Sequence, residues 1–109
     1  MRVVAREASE LDAAGLRQLS DRLLAQAKSG VVVLGRRGEG KVSFIVRTSK
    51  DLQGRVPAGT VVRELAQMVG GRGGGRPDMA EGGGADADKL PEALQASYQI
   101  IEGLLAANA

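Results

Sequence analysis

Between Gly70 and Gly84 the chain reads GGRGGGRPDMAEGGG, with eight glycines in fifteen residues and Arg72 and Arg76 as its only basic side chains. Glycine lacks a Cβ, so such a backbone takes positive φ and approaches a ligand or a neighbouring strand closely. Consecutive N–H groups in it also form a concave nest for an anion. Composition alone fits a flexible linker or an RGG-like disordered tract equally well. The flanks argue otherwise. The stretch is short, Pro77 stiffens its middle, and helical patterns stand directly on both sides. The expectation is an ordered binding loop.

On its N-terminal side, Val62, Leu65, Ala66 and Val69 fall at i, i+3, i+4 and i+7, the stripe of an amphipathic helix that Thr60 can cap and Gly70-Gly71 ends. On its C-terminal side, after Asp86–Lys89, a helix is expected from Leu90 to Leu105. Leu90, Leu94, Ile101 and Leu105 line its apolar side, Pro91 is tolerated in its first turn, and 106–109 should fray. Further upstream, Thr48–Gly59 is polar and turn-forming and reads as a surface loop.

The first half of the chain supplies the sheet. Val31–Leu34 (VVVL) is β-branched and continuously apolar, the pattern of a strand buried on both faces. Arg36-Arg37-Gly38-Glu39-Gly40 reads as a turn and Lys41–Arg47 (KVSFIVR) as the returning strand of an antiparallel hairpin. Before it, Leu16, Leu19, Leu23, Leu24 and Ala27 form one helical stripe, with Asp12 as N-cap and Gly30 placed as the C′ residue. Arg2–Glu7 is a further short strand, completing a βαβ unit with a right-handed crossover. The fold class is therefore α/β: one small domain over 1–109, a mixed sheet packed with about three helices and the glycine-rich loop.

Composition narrows the chemistry. A chain of 109 residues, 43% hydrophobic and 26% charged, is long enough for one globular core. Cysteine and histidine are both absent, which removes disulfides, thiolate nucleophiles, Ser-His-Asp and Cys-His arrangements and the usual zinc ligands. No phosphate-cradling GxxxxGK[ST] occurs, and Asp78, Glu81, Asp86 and Asp88 read as solvated acids. No complete active site is visible. With no signal-peptide pattern and no membrane-length apolar run, the expectation is a soluble, cytoplasmic chain without a membrane partner.

Charge is distributed unevenly. Residues 1–35 carry a net +1, residues 36–76 a net +6 and residues 77–109 a net −5. A basic middle and an acidic tail suggest one face for a polyanion and one turned away from it. Aromatics are nearly missing: Phe44 falls in an expected core strand and Tyr98 in the last helix. Base stacking of the RRM or OB type is thus out of reach. Any nucleic-acid binding has to use Arg/Lys, backbone N–H groups and a flat glycine surface, which read shape and phosphate more than sequence.

The strings VVVLGRRGEGKVSFIVRTSKD, TVVRELAQMVGG and GGRGGGRPDMAEGGG resemble the C-terminal, DHH-associated domain of bacterial alanyl-tRNA synthetases, over nearly the whole chain. The class also occurs beside DHH phosphoesterases and RecJ-like exonucleases. The resemblance implies a tRNA-binding module rather than a catalyst, contacting the outer corner of tRNA so that aminoacylation and editing act on one tRNA(Ala). It implies no cofactor in this chain; ATP, magnesium and zinc belong to upstream domains of the parent ligase, which are themselves partners. A homodimer is a further partner it allows, although the helical segment that dimerises some members would precede Arg2. Met1 is expected to mark an excised fragment or an unusually short protein.

Carried over by position, Gly71 and Gly73–Gly75 would form a side-chain-free surface, with Arg72 and Arg76 on phosphate or ribose and Arg36, Arg37, Lys41 and Lys50 as a surrounding field. Arg72 and Arg76 could instead be structural, pairing with Asp78 or capping the helix that ends at Val69. Met79 reads as a packing residue. Two other function classes stay open: the accessory domain of a phosphoesterase or exonuclease, binding single strands or a small phosphorylated substrate, and an oligomerisation module.

Overall fold

The computed structural model describes residues 1–108. Its elements are β1 (Arg2–Glu7), α1 (Ala13–Ala27), β2 (Gly30–Gly38), β3 (Lys41–Thr48), α2 (Ala58–Met68), β4 (Gly71–Gly75), β5 (Met79–Gly84) and α3 (Leu90–Ala107), with single 3-10 turns at Lys50–Leu52 and Ala87–Lys89. The five strands form one sheet in the order β1-β2-β3-β5-β4. β1 and β2 are parallel across the α1 crossover; every other pairing is antiparallel. The mixed α/β domain with three helices is as the residue pattern indicates.

Side-chain alternation sorts the sheet into two cores. Val31, Val33, Val42, Phe44 and Val46 face α2 and α3, where they meet Val61, Val62, Leu65, Val69, Leu90, Ala93 and Ile101. Val32, Leu34 and Ile45 face α1 and its Leu16, Leu19, Leu23 and Leu24. Val31–Leu34 is inaccessible on both faces, as an unbroken apolar strand should be. Each such side chain contributes about 1.5–3 kcal/mol by leaving water.

Several boundaries differ from the sequence pattern, each for a local reason. Asp12 does cap α1, accepting from Gly15 N–H at 2.8 Å. The left-handed residue at its C-terminus is Lys28 (φ 62), whose N–H reaches the Leu24 carbonyl. Gly30 instead opens β2, where a Cβ would run into the Arg2 carbonyl. Arg36, Arg37 and Gly38 continue the β2 ladder, and the turn is only Glu39-Gly40, both at positive φ as a two-residue hairpin requires. α2 starts at Ala58 behind Pro57, not at Thr60; the Pro57 carbonyl accepts Thr60 N–H at 3.1 Å. The 48–59 connection is not merely a surface loop, because Thr48, Ser49, Leu52 and Val56 are buried.

α3 continues to Ala107 rather than fraying at Ala106. Arg55 donates to the Leu105 carbonyl and Asn108 Nδ2 to the Arg55 carbonyl, both at 3.0 Å, tying this end to the 48–59 connection. Ala109, the last residue of the expected frayed segment, lies outside the described residues.

Candidate nucleic-acid interface

The glycine stretch is ordered, but as a hairpin of two strands rather than a loop. Its turn is Arg76-Pro77-Asp78. Arg76 N–H reaches the Met79 carbonyl, Thr48 N–H the Asp78 carbonyl and Ala58 N–H the Pro77 carbonyl, each at 3.0 Å. Three elements thus hold the turn.

Most of its glycines are demanded by close backbone approach. A Cβ on Gly83 would strike the Val42 carbonyl, and one on Gly84 the Val69 carbonyl. Gly73 and Gly82 face each other so closely that a Cβ on either falls 2.7–2.9 Å from the other's Cα. On the α2 side, a Cβ on Gly59 would sit 2.7 Å from the Gly75 carbonyl oxygen. Gly74 is the exception, with nothing within 4 Å of its Cβ position.

The register sets which side chains share a face. Arg36 opposes Ser43, Ser43 opposes Gly83, and Gly83 opposes Arg72. Directly opposed residues project to the same side, so this row crosses four strands over about 14 Å. It lies on the α1 side of the sheet, yet α1 packs over β2 and β3, leaving Ser43 and Arg72 exposed. The result is an open groove of about 530 Å³ floored by Gly82–Gly84 and lined by Lys41, Ser43, Arg72 and Glu81. Among the described residues neither Arg72 nor Lys41 forms an ion pair.

The remaining expected site residues are dispersed. Arg36 is half-buried, its Nε donating to the Leu11 carbonyl at 2.8 Å. Arg37 opposes Val42 and so lies on the α2/α3 side, bound to Glu7 at 3.0 Å. The Arg37 hydrogen bond, with a second from Ser9, lowers the Glu7 pKa. Arg76 pairs with Asp78 at 3.2 Å across the hairpin turn. Lys50 sits in the 3-10 turn beyond β3, at the Arg76 end of the sheet and away from Lys41. Gly71, Gly73 and Gly75 are held by packing; Gly74 opposes Glu81 on the groove side.

Two groove residues escaped the sequence reading. Ser43 was legible in principle, since Lys41 and Ser43 alternate with Val42 and Phe44 along β3. Glu81 was not: it reads as a solvated acid and is indeed exposed, and no sequence pattern marks the approach of Arg17 of α1 to both its oxygens, at 3.0 and 3.3 Å. Met79 packs against the α1-side core. Among the described residues no group of three His, Cys, Asp or Glu side chains is placed to hold a metal, and no helix is long and apolar enough to cross a membrane.

Residues 1–103 match the DHHA1 domain. The chain belongs to that family. This DHHA1 domain is 48% identical over 101 residues to the alanine–tRNA ligase of Desulfosudis oleivorans and 48% identical over 105 residues to that of Solibacter usitatus. These matches cover 93% and 96% of the chain but only 12% of each ligase, so the chain spans a small part of those relatives. Among solved structures it is similar to the C-Ala domain of Aquifex aeolicus alanyl-tRNA synthetase, with a TM-score of 0.81 at 35% identity, covering 94% of this chain and 90% of that one.

Proposed function

We propose that this chain is the tRNA-binding C-terminal domain of an alanyl-tRNA synthetase. It docks on the outer corner of tRNA and helps the aminoacylation and editing domains act on one tRNA(Ala). Catalysis, with its ATP, magnesium and zinc, resides in other domains of a cytoplasmic parent ligase; the share of the ligase relatives that this chain covers, 12%, fits such a division. The observation that carries the reading is the groove, where Arg72 and Lys41 stand without carboxylate partners over a glycine floor. Such a surface offers positive charge and close backbone approach, and no aromatic platform lines it. Shape and phosphate are what it is built to read.

The test is binding of the chain to intact tRNA, to single-stranded DNA and to an RNA hairpin across a salt series. Each phosphate held contributes a log–log slope of about −0.7 to −0.9. Arg72→Ala and Lys41→Ala should each flatten the slope by about that amount, while Arg37→Ala, on the far side and paired with Glu7, should leave it unchanged. Preference for folded tRNA supports the reading. Tighter binding of single strands would transfer the domain to a phosphoesterase or exonuclease role, and binding to none of the three would refute a nucleic-acid function.

A further inference from the structure

The groove contains one residue that a phosphate-binding surface should not have. Glu81 lines it beside Arg72, on the strand next to Arg72's own. Arg72 opposes Gly83, two residues along from Glu81 on the same side, which puts the two Cα atoms about 7–8 Å apart on the diagonal. A carboxylate at that distance repels a phosphate and can donate nothing to it; phosphate oxygens, like carboxylate oxygens, only accept.

Glu81 is also paired across to α1. One Arg17 nitrogen lies 3.0 and 3.3 Å from its two oxygens, in an exposed ion pair between α1 and β5. An ionised carboxylate has about four acceptor positions, and Arg17 uses only part of them. The side chain remains 44% exposed, which leaves acceptor capacity open to the groove. The groove therefore combines two cations and an acceptor around the Gly82–Gly84 floor.

We propose that Glu81 makes this groove a reader of ribose: its carboxylate accepts a hydrogen bond from a 2′-hydroxyl while Arg72 and Lys41 hold neighbouring phosphates, so that the surface selects RNA over DNA. The inference rests on the nucleic-acid reading above and assigns its sugar specificity. Two kinds of donor on a nucleic acid could satisfy Glu81, a ribose hydroxyl and an exocyclic base amino group. The groove has no aromatic side chain to hold a base in register, whereas a ribose accompanies every phosphate whatever the sequence. The 2′-hydroxyl is the donor that this geometry presents reproducibly, and it is the group that distinguishes RNA from DNA.

The experiment measures affinity of the 109-residue chain for a tRNA transcript, for the same RNA with 2′-O-methyl groups and for DNA of the same sequence. The wild-type chain should bind the unmodified RNA roughly tenfold more tightly than either analogue, the scale of one hydrogen bond to a charged group. Glu81→Ala should weaken RNA binding and leave DNA binding equal or stronger, since a repelling charge has gone, so the preference collapses. Glu81→Gln, which keeps an acceptor oxygen, should retain part of it. Arg17→Ala breaks the same ion pair but leaves the carboxylate in the groove, so it should lower the RNA preference less than Glu81→Ala does. If Glu81→Ala loses affinity equally for all three probes, or matches Arg17→Ala with the RNA preference intact, Glu81 is only a brace between α1 and β5 and the inference is wrong. If the wild-type chain binds none of the probes, the nucleic-acid reading itself has failed, a separable result.

Discussion

Gly73 and Gly74 are adjacent on β4 and should respond oppositely to a single methyl group. A Cβ on Gly73 would lie 2.9 Å from Gly82 Cα and 3.3 Å from both the Glu81 carbonyl oxygen and Val62 Cγ1. The first is backbone of a paired strand, so relief requires β4 to move away from β5 or α2 to lift. Overpacking of this kind costs about 1–3 kcal/mol. A Cβ on Gly74 meets nothing within 4 Å, and its φ is not in the left-handed region. Gly74→Ala then acts mainly by restricting the unfolded chain, a gain of about 0.4–1 kcal/mol.

Thermal melts resolve the difference, because 1 kcal/mol moves Tm by roughly 4–8 °C in a domain near this size. Gly73→Ala should melt lower and Gly74→Ala at or above wild type. Gly74 opposes Glu81 on the groove side, so Gly74→Val adds a larger obstruction there. It should weaken tRNA binding. Equal destabilisation by Gly73→Ala and Gly74→Ala would refute the steric reasoning, and wild-type tRNA affinity in Gly74→Val would remove Gly74 from the contact surface.

Gly103 sits in the exposed interior of α3 with nothing within 4 Å of its Cβ position, so Gly103→Ala should stabilise the chain by about 0.5–1 kcal/mol in denaturant unfolding without changing the slope of the transition. Acid should destabilise it through two carboxylates: hydrogen bonds from Arg37 and then Ser9 lower the Glu7 pKa, and hydrogen bonds from Ser29 and then Ser49 lower that of Asp51. A carboxylate with a lower pKa in the folded state contributes stability that is present above its unfolded pKa, about 4, and lost as pH falls through the folded value. Tm should therefore drop below about pH 4, and Glu7→Gln combined with Asp51→Asn should blunt the drop. A variant as acid-sensitive as wild type would contradict this.

The parts of the fold legible in the sequence are those where a side-chain pattern has one structural solution. VVVL can satisfy both of its faces only inside a sheet, and the Leu16–Leu24 stripe only against one. The β4–β5 hairpin was opaque for the converse reason. GRGGG has almost no side chains to alternate, so no period of two exists to mark a strand, and the ladder that makes it one is entirely backbone. Charge counting failed similarly. The basic block 36–76 spans both sides of the sheet, because Arg36 and Arg37 are consecutive strand residues and must diverge. One is anchored over α1's approach and the other is neutralised by Glu7.

The same geometry reassigns what the glycine string signifies. Seven of its eight glycines either sit at positive φ or lack room for a Cβ against a neighbouring group. Their presence follows from fitting two strands against β3 and under α2, and a domain that bound nothing would still need them. Gly74 is the one glycine of the string with open space at its Cβ position and no positive φ, so packing does not require it. On the proposed nucleic-acid reading, the positions of the string left open for a contact are therefore Gly74 and Arg72, which has no ionic partner among the described residues. Arg76 is already engaged with Asp78. Of the two arginines that look equivalent in GGRGGGRP, the first is thus the one free to hold a phosphate, and Arg76→Ala should change the salt slope less than Arg72→Ala does.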